Sequence, residues 1–342
     1  MALSDLMRNH FTKFLKPVGG VDQSKLKWGK VLDTIASSTV NLDPDTFIVH
    51  SWQSRYDFVT KAKTFQKVKA AVTQKNAKSH LDRFVTDSEQ WRAIFDTEYM
   101  WDKNEKDIAR SLSALRVFKV VQPAPGLLSL VRAYRDGVIK YKVAKKAVHQ
   151  IEKFHFAFNA ITSSRSSGGI SGMYSSFGRS VFTAKDSNEV AMEITNLLEK
   201  LRDREVPESE FDAGFEQIIY TNKQSSQKAL VQYILRTVAR HEKQPSIGDS
   251  DDLTIEHLLP QAEIKEKDSE KMVGQIGNLL LVDSETNGLL GTHKFVDKKK
   301  ILLARGYRLP DAFLSVDKLT PELIVENTKR ISVLARQSIW KV

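Results

Sequence analysis

Apolar residues recur at helical spacing through most of the first 245 residues. Leu3, Met7 and Phe11 form the first such stripe, and a pair of glycines ends it. The same period marks further segments at 26–38, 57–71, 88–95, 108–118, 127–135, 142–160, 187–204, 208–219 and 226–241. Leucine and aromatic stripes of this kind are typical of core faces rather than of cofactor contacts. The pattern therefore predicts a predominantly helical N-terminal region.

A different pattern occupies residues 253–305. Two short apolar runs, at 253–259 and 279–282, have the length of strands, and a run with helical spacing follows them. The polar residues set into this pattern are Glu256 and His257 in the first run, Asn278 before the second, and Asn287 at the entry to the helix. This order of parts predicts a β-β-α finger. The predicted fold is therefore mainly α, with a helical N-terminal region followed by a C-terminal β-β-α domain packed with helices.

Residues 162–178 are rich in glycine and serine, and this composition predicts that no helix is sustained there. Arg165 and Arg179 flank the segment, so backbone N–H groups and two guanidinium groups offer contacts to a phosphate. The segment lacks the glycine and lysine spacing of a nucleotide-binding loop. A connector without such a role is the alternative.

A second break lies at residues 244–252, which are polar and acidic, with Pro245 and Gly248 as punctuation. We place the domain boundary in this segment. The prediction is a helical domain over 1–245 and a second domain over 246–342.

The composition of the chain indicates what kind of partner the protein binds and in which cellular compartment it resides. Lys and Arg number 52 against 42 Asp and Glu, a net charge of +10, which favours a polyanionic partner, although a solvated positive surface gives the same balance. The chain has no cysteine, so disulfides and thiolate zinc sites are excluded and a reducing cytoplasm fits. No apolar run approaches the roughly 20 residues that a membrane span needs, which predicts a soluble protein without a membrane partner.

The polar residues of the predicted finger suit hydrolysis of a phosphodiester. That reaction needs a base that deprotonates water and a cation that stabilises the charge developing on the phosphate. The imidazole of His257 suits the first task, and the carboxylate of Glu256 offers oxygen to Mg²⁺ or Mn²⁺. Asn287 offers a carbonyl oxygen to the same cation, and His293 is the second choice. The amide of Asn278 can hold the loop that carries the histidine.

Each of these residues also has a plainer interpretation. A histidine in an apolar run is often a hydrogen-bonded core residue, and an asparagine often forms a turn or a cap. Neighbouring side chains on a strand face opposite ways. Glu256 and His257 therefore serve one site only if the strand twists or ends there, and Pro260 supplies a nearby end.

A row of basic residues follows on the predicted helix, opposed only by Asp297. Those predicted to face DNA are Lys294, Lys298, Lys299 and Arg305, with Lys300 in the same run. Such a row suits contact with phosphates, and a solvated helix face is the alternative.

Several of these segments together resemble one known family. They are Thr254 to Gln261, Ile276 to Val282, Asn287, Phe295, Lys298 with Lys299, and Ile331 to Trp340. They resemble the C-terminal nuclease domain of the GmrSD-type modification-dependent restriction endonucleases, an HNH or His-Me finger domain. The preceding helical region, including 127–134, resembles more loosely the part that precedes this nuclease in the same proteins.

The resemblance implies a role for each motif residue. Glu256 corresponds to the acidic metal ligand, His257 to the general base and Asn278 to the central asparagine of HNH. Asn287 stands at the third motif position, where a strict HNH domain has histidine. Because the zinc-binding cysteine pairs of many HNH domains are absent, the leucine run and the surrounding helices are expected to hold this finger.

Members of this family usually begin with an NTP-binding half related to ParB, and its arginine- and glutamine-rich motif is not found here. The expectation is either a nuclease subunit that works with a separate ParB-like NTPase subunit, or the C-terminal portion of a longer protein. The hypothesis is thus a metal-dependent endonuclease that cleaves double-stranded DNA in defence against foreign or modified DNA. Its alternatives are a catalytically idle DNA-binding or regulatory module, and cleavage of RNA.

Overall fold

The structure is a computed structural model, and it describes residues 2–15, 17, 19–162, 169–244, 253–261 and 271–342. The chain divides into two compact units. The first consists of Met1–Glu152 with Ser166–Asp203, and the second of Lys153–Arg165 with Arg204–Val342. The predicted domain boundary between residues 245 and 246 lies outside the described residues.

Helices account for the regular structure described in the first unit. They are α1 (Leu3–Phe14), α2 (Gln23–Ala36), α3 (Pro44–Gln53), α4 (Lys61–Ala71), α5 (Ala77–Phe95), α6 (Lys106–Val117), α7 (Ala124–Arg135), α8 (Tyr141–His155, whose last turn belongs to the second unit), α9 (Ile170–Thr183) and α10 (Ser187–Arg202), with a 3-10 turn at Lys103–Glu105. Asp side chains cap the starts of α2, α3 and α10, where they accept backbone N–H groups that have no partner within the helix.

A buried charge network ties three of these helices together. Asp87 of α5 is fully buried and accepts hydrogen bonds from Arg55 Nη2 at 2.9 Å and from Arg132 Nε at 3.3 Å. The hydroxyl of Ser51 donates to the same carboxylate at 2.6 Å. A carboxylate without such partners would be costly to bury, so the network fixes α5 against α7 and against the end of α3.

The glycine- and serine-rich segment differs from its prediction. Ile170–Thr183 forms α9, so the expectation that no helix is sustained through residue 178 is wrong for this part, and residues 163–168 lie outside the described residues. Here the glycines allow two helices to approach closely rather than loosening the chain. A Cβ on Gly178 would lie 2.9 Å from the Pro125 carbonyl oxygen, and one on Gly126 would lie 2.9 Å from the Phe177 ring.

The second unit is also largely helical but contains a two-stranded antiparallel sheet. Its elements are α11 (Glu208–Glu216), α12 (Lys228–His241), β1 (Leu253–His257), β2 (Leu279–Asp283), α13 (Ser284–Leu290), α14 (Phe295–Ala304), α15 (Asp311–Leu314) and α16 (Pro321–Leu334), with a 3-10 turn at Ile276–Asn278 and π-helical turns at Phe156–Ile161 and Ala335–Ile339. In the sheet, Leu253 pairs with Asp283 and His257 with Leu279. The predicted mainly α fold with a small β-β region is confirmed.

The sheet is too small to be stable alone, because an isolated pair of strands is marginal in water. It is covered by helices of the same unit. α12 packs against β2, α13 packs against both strands, and α16 packs against the 3-10 turn before β2. Val282, Leu290, Leu302 and Ile324 are fully buried in the resulting core. Among the described residues, no helix has the length and apolar character needed to cross a membrane.

Candidate active site

Asn278 joins the two strands at the place where β1 ends. It is fully buried, and its Nδ2 donates to the carbonyl oxygens of Leu259 at 3.0 Å and Val273 at 2.8 Å. Its Oδ1 accepts the Leu259 N–H at 2.8 Å, and its own carbonyl accepts the Leu258 N–H at 3.0 Å. These four hydrogen bonds hold the segment that follows His257 in one conformation.

Helix α16 supports that turn from outside. Asn327 Nδ2 donates to the Gly277 carbonyl at 2.8 Å, and the Gly277 N–H donates to Thr328 Oγ1 at 3.1 Å. Residue 277 has to be glycine for this approach, because a Cβ there would lie 2.6 Å from the Thr328 backbone nitrogen. The loop that carries His257 is therefore positioned by residues that follow it in the sequence, in the turn before β2 and in α16.

His257 lies at the end of β1 and is 8% exposed. Its Nε2 is 2.9 Å from the Tyr220 carbonyl oxygen, and its ring stacks on the Tyr220 ring with the centroids 5.8 Å apart. The Gln261 Nε2 lies 3.3 Å from Nδ1 and 3.2 Å from Nε2. The orientation of this amide is set by the Asn222 N–H, which donates to Gln261 Oε1 at 3.2 Å.

These partners assign the tautomer of His257. A carbonyl oxygen only accepts, so Nε2 carries the proton and donates it to Tyr220. Nδ1 then has the lone pair, and the Gln261 amide is beside it. Burial lowers the pKa of His257, while the hydrogen bond to Tyr220 opposes that shift. The site therefore holds a neutral imidazole whose Nδ1 is the nitrogen able to take up a proton.

Glu256 has a different environment from its neighbour. It is buried, and its Oε1 accepts a short hydrogen bond from Lys298 Nζ of α14. The same ammonium donates to the His257 carbonyl oxygen at 2.8 Å. Burial raises the pKa of Glu256, and the charge of Lys298 opposes that shift. The Glu256 carboxylate and the His257 imidazole thus have different hydrogen-bond partners.

The residues predicted to bind the metal ion lie on different elements. Asn287 lies half-buried within α13, and His293 is exposed after it, with Nδ1 3.0 Å from the Leu290 carbonyl oxygen at the end of that helix. In the part of the chain that the structure describes, no three His, Cys, Asp or Glu side chains are placed to hold an ion. Because the Glu256 carboxylate is already paired with Lys298, these residues do not fit a divalent cation as the sequence predicts.

The predicted DNA-facing cations have unlike environments. Lys294 is exposed at the start of α14. Lys299 Nζ donates to the carbonyl oxygen of Val316 at 2.5 Å and to Asp317 at 3.0 Å, and Arg305 Nη1 is 3.0 Å from Glu285. For Lys298 the prediction that it faces DNA is wrong: the residue is 1% exposed, so its ammonium is not on a surface that DNA can reach.

Sequence reasoning assigned no role to Tyr220 or Gln261. Tyr220 acts on His257 through its backbone carbonyl, and a carbonyl gives no residue-type signal. It also lies 37 positions before the histidine. Gln261 ends the Thr254 to Gln261 segment, four residues after His257. This closeness in sequence is the feature from which its contact with the histidine could have been predicted.

One known family matches the part of the chain that contains these residues. Residues 205–333 match the family model described as GmrSD restriction endonucleases, C-terminal domain. The match includes β1, β2 and the Tyr220 segment. No curated protein matches the chain.

Proposed function

From the premise that residues 205–333 belong to the C-terminal domain family of the GmrSD restriction endonucleases, we propose that this chain is a DNA endonuclease of the HNH type. The observation that carries the proposal is the neutral His257, oriented by the Tyr220 carbonyl and placed at the end of a strand that Asn278 holds. The substrate is double-stranded DNA, for which the net charge of +10 is suitable. The biological role is defence against foreign or modified DNA, together with a ParB-like NTPase subunit.

In this proposal, His257 acts as the general base. Nδ1 takes a proton from water after the Gln261 amide gives up its place beside that nitrogen. The water oxygen then forms a bond to phosphorus, the bond from phosphorus to the leaving oxygen breaks, and the leaving oxygen takes a proton from solvent. The imidazolium that forms keeps its Nε2 hydrogen bond to the Tyr220 carbonyl, which stabilises the added positive charge.

The Mg²⁺ or Mn²⁺ ion predicted from the sequence receives no step in this mechanism. Glu256 was its expected first ligand and Asn287 its second. Glu256 is engaged by Lys298, and we therefore assign to the protein side chains only the proton transfer and the holding of the loop. Asn278 has the second of these tasks.

The decisive experiment is nicking of supercoiled plasmid by the full chain, with Mg²⁺ or Mn²⁺ present. His257→Ala and His257→Asn should each lower the rate by a factor on the order of 10²–10⁴, the usual contribution of a general base. His241→Ala is the control, because His241 is exposed at the end of α12. Circular dichroism and DNA binding by gel shift should be unchanged. Undiminished cutting by both His257 variants would refute the assignment.

A second candidate function is a catalytically idle DNA-binding module that retains the finger as a scaffold. It is favoured by the position of Gln261, whose amide stands 3.3 Å from the nitrogen that would accept the proton. Wild-type protein that binds DNA but cuts neither DNA nor RNA, in the presence of its NTPase partner, would select this alternative. Offering both polymers in that assay also tests the RNA hypothesis.

A further inference from the structure

Lys298 and Glu256 form a buried ion pair within the candidate site. Their side chains are 2% and 9% exposed. The Lys298 ammonium also donates to the His257 carbonyl oxygen at 2.8 Å. Neither charge faces water, so each is compensated by the other and by this additional hydrogen bond. The Glu256 carboxylate therefore already has a full positive charge beside it.

A divalent cation at the same carboxylate would meet that ammonium. Mg²⁺ binds carboxylate oxygen at about 2.0–2.1 Å, which would place it next to Lys298 Nζ. Two cations repel strongly where water is excluded. With Lys298 in place, Glu256 thus lacks the uncompensated charge that a metal ligand needs.

The second hydrogen bond of Lys298 is donated to the main-chain carbonyl of His257, the proposed general base. Its ammonium bridges the side chain of Glu256 and the main chain of His257, so α14 holds the last two residues of β1. A fixed backbone at residue 257 keeps the imidazole within reach of the Tyr220 carbonyl. Lys298 can therefore affect His257 without touching a substrate.

We propose that the Lys298 ammonium is the resident cation of this site: it occupies the place beside Glu256 that a metal ion would take, and it positions His257 through the backbone. Glu256 is then a structural anion and not a ligand for a divalent metal. The positioning role rests on the proposed function, whereas the exclusion of a divalent ion from Glu256 does not.

The test measures binding of Mn²⁺ alone, without DNA, by the loss of the electron paramagnetic resonance signal of the free ion. Glu256→Gln should bind Mn²⁺ as the wild type does. Lys298→Met leaves the carboxylate without its partner. This variant should gain one Mn²⁺ site, which binds the ion at least 10-fold more tightly than the wild-type protein does. The double variant should lose that gained site. Lys300→Met is the matched control, because Lys300 lies two residues along the same helix with a 74% exposed side chain.

Two results would overturn the proposal: loss of a wild-type Mn²⁺ site in Glu256→Gln, or no gained site in a folded Lys298→Met protein. If Lys298→Met does not fold, the comparison of wild type with Glu256→Gln still decides whether Glu256 is a ligand. Failure of the proposed function has a different signature. In that case no variant and no wild-type protein cuts plasmid, while the pattern of Mn²⁺ binding remains as expected.

Discussion

His257 has a pKa below that of an ordinary imidazole, because burial disfavours its charged form. A general base has to be neutral, so activity falls as the pH drops through that pKa. We expect the acid limb of kcat/KM for plasmid nicking to have its midpoint below 6.5, the ordinary value for histidine. A pH–rate profile of the free enzyme measures it. A midpoint above 6.5 would contradict the burial that we describe for this ring.

The three consecutive lysines of α14 show how far the site could be predicted from residue types. Successive residues of a helix point about 100° apart, so one helix presents Lys298, Lys299 and Lys300 to three different surroundings. The first is buried, the second is held by Val316 and Asp317, and the third is exposed. Composition predicts a basic row, but only the packing of α14 against β1 decides which lysine becomes a buried counter-ion.

At the scale of elements, the turn before β2 depends on the absence of a side chain at residue 277. Gly277→Ala should lower the free energy of unfolding by about 1–3 kcal/mol, because the methyl group would collide with the Ile324 carbonyl oxygen and with Thr328. The displaced turn should also move Asn278 and lower nuclease activity. Urea unfolding and the plasmid assay measure the two effects.

Gly288→Ala is the control for that substitution. Gly288 lies in α13, and a Cβ there would contact nothing within 4 Å. Alanine in a helix is favoured over glycine, so this variant should be as stable as the wild type or more stable by up to about 1 kcal/mol. A Gly277→Ala protein as stable as Gly288→Ala would mean that α16 does not contact the turn as described.

The elements that hydrophobic periodicity predicted are those with one buried side. Most of the helices are of this kind, whereas the two short strands, which were predicted from continuous apolar runs, have consecutive buried residues that face opposite ways. Helix α3 gives no such signal, because it is buried on several sides, at Phe47, Ile48, Val49 and Trp52 alike. Helix α9 was missed for another reason: its Gly178 allows a close approach to α7, and in a single sequence such a glycine resembles one in a loop.

At the scale of the whole molecule, acid should destabilise the second unit through His155. This histidine is fully buried, and burial lowers its pKa to about 4, although the hydrogen bond to Asn159 opposes the shift. The unfolded chain, with its histidine near 6.5, binds the proton better than the folded protein does. Stability is therefore retained above pH 6.5 and is lost progressively as the pH falls from there toward 4.

As the pH falls from 7 to 5, we expect this histidine to lower the free energy of unfolding by roughly 2 kcal/mol. Urea titrations at the two pH values measure the loss, and it should shrink by about that amount in His155→Gln. His241→Gln, which removes an exposed histidine, should retain the wild-type loss. An equal loss in His155→Gln and in the wild type would show that acid acts through another group.

The net charge of +10 does not by itself locate a DNA-binding surface. Of the cations predicted to face DNA, Lys298 is buried and Arg305 lies 3.0 Å from Glu285, while Lys294 is exposed. Charge therefore supports a polyanionic partner for the protein as a whole. The face that binds this partner depends on which cations the fold leaves in water.

The two strands and their histidine depend on residues that are distant in the sequence. The Tyr220 carbonyl accepts the hydrogen bond of the imidazole, and Asn327 of α16 holds the turn before β2. An excised peptide of the strand–strand–helix segment would therefore lack the groups that aim the imidazole. For protein engineering, a graft has to span at least from Tyr220 through α16, because a shorter one would transfer the motif without its geometry.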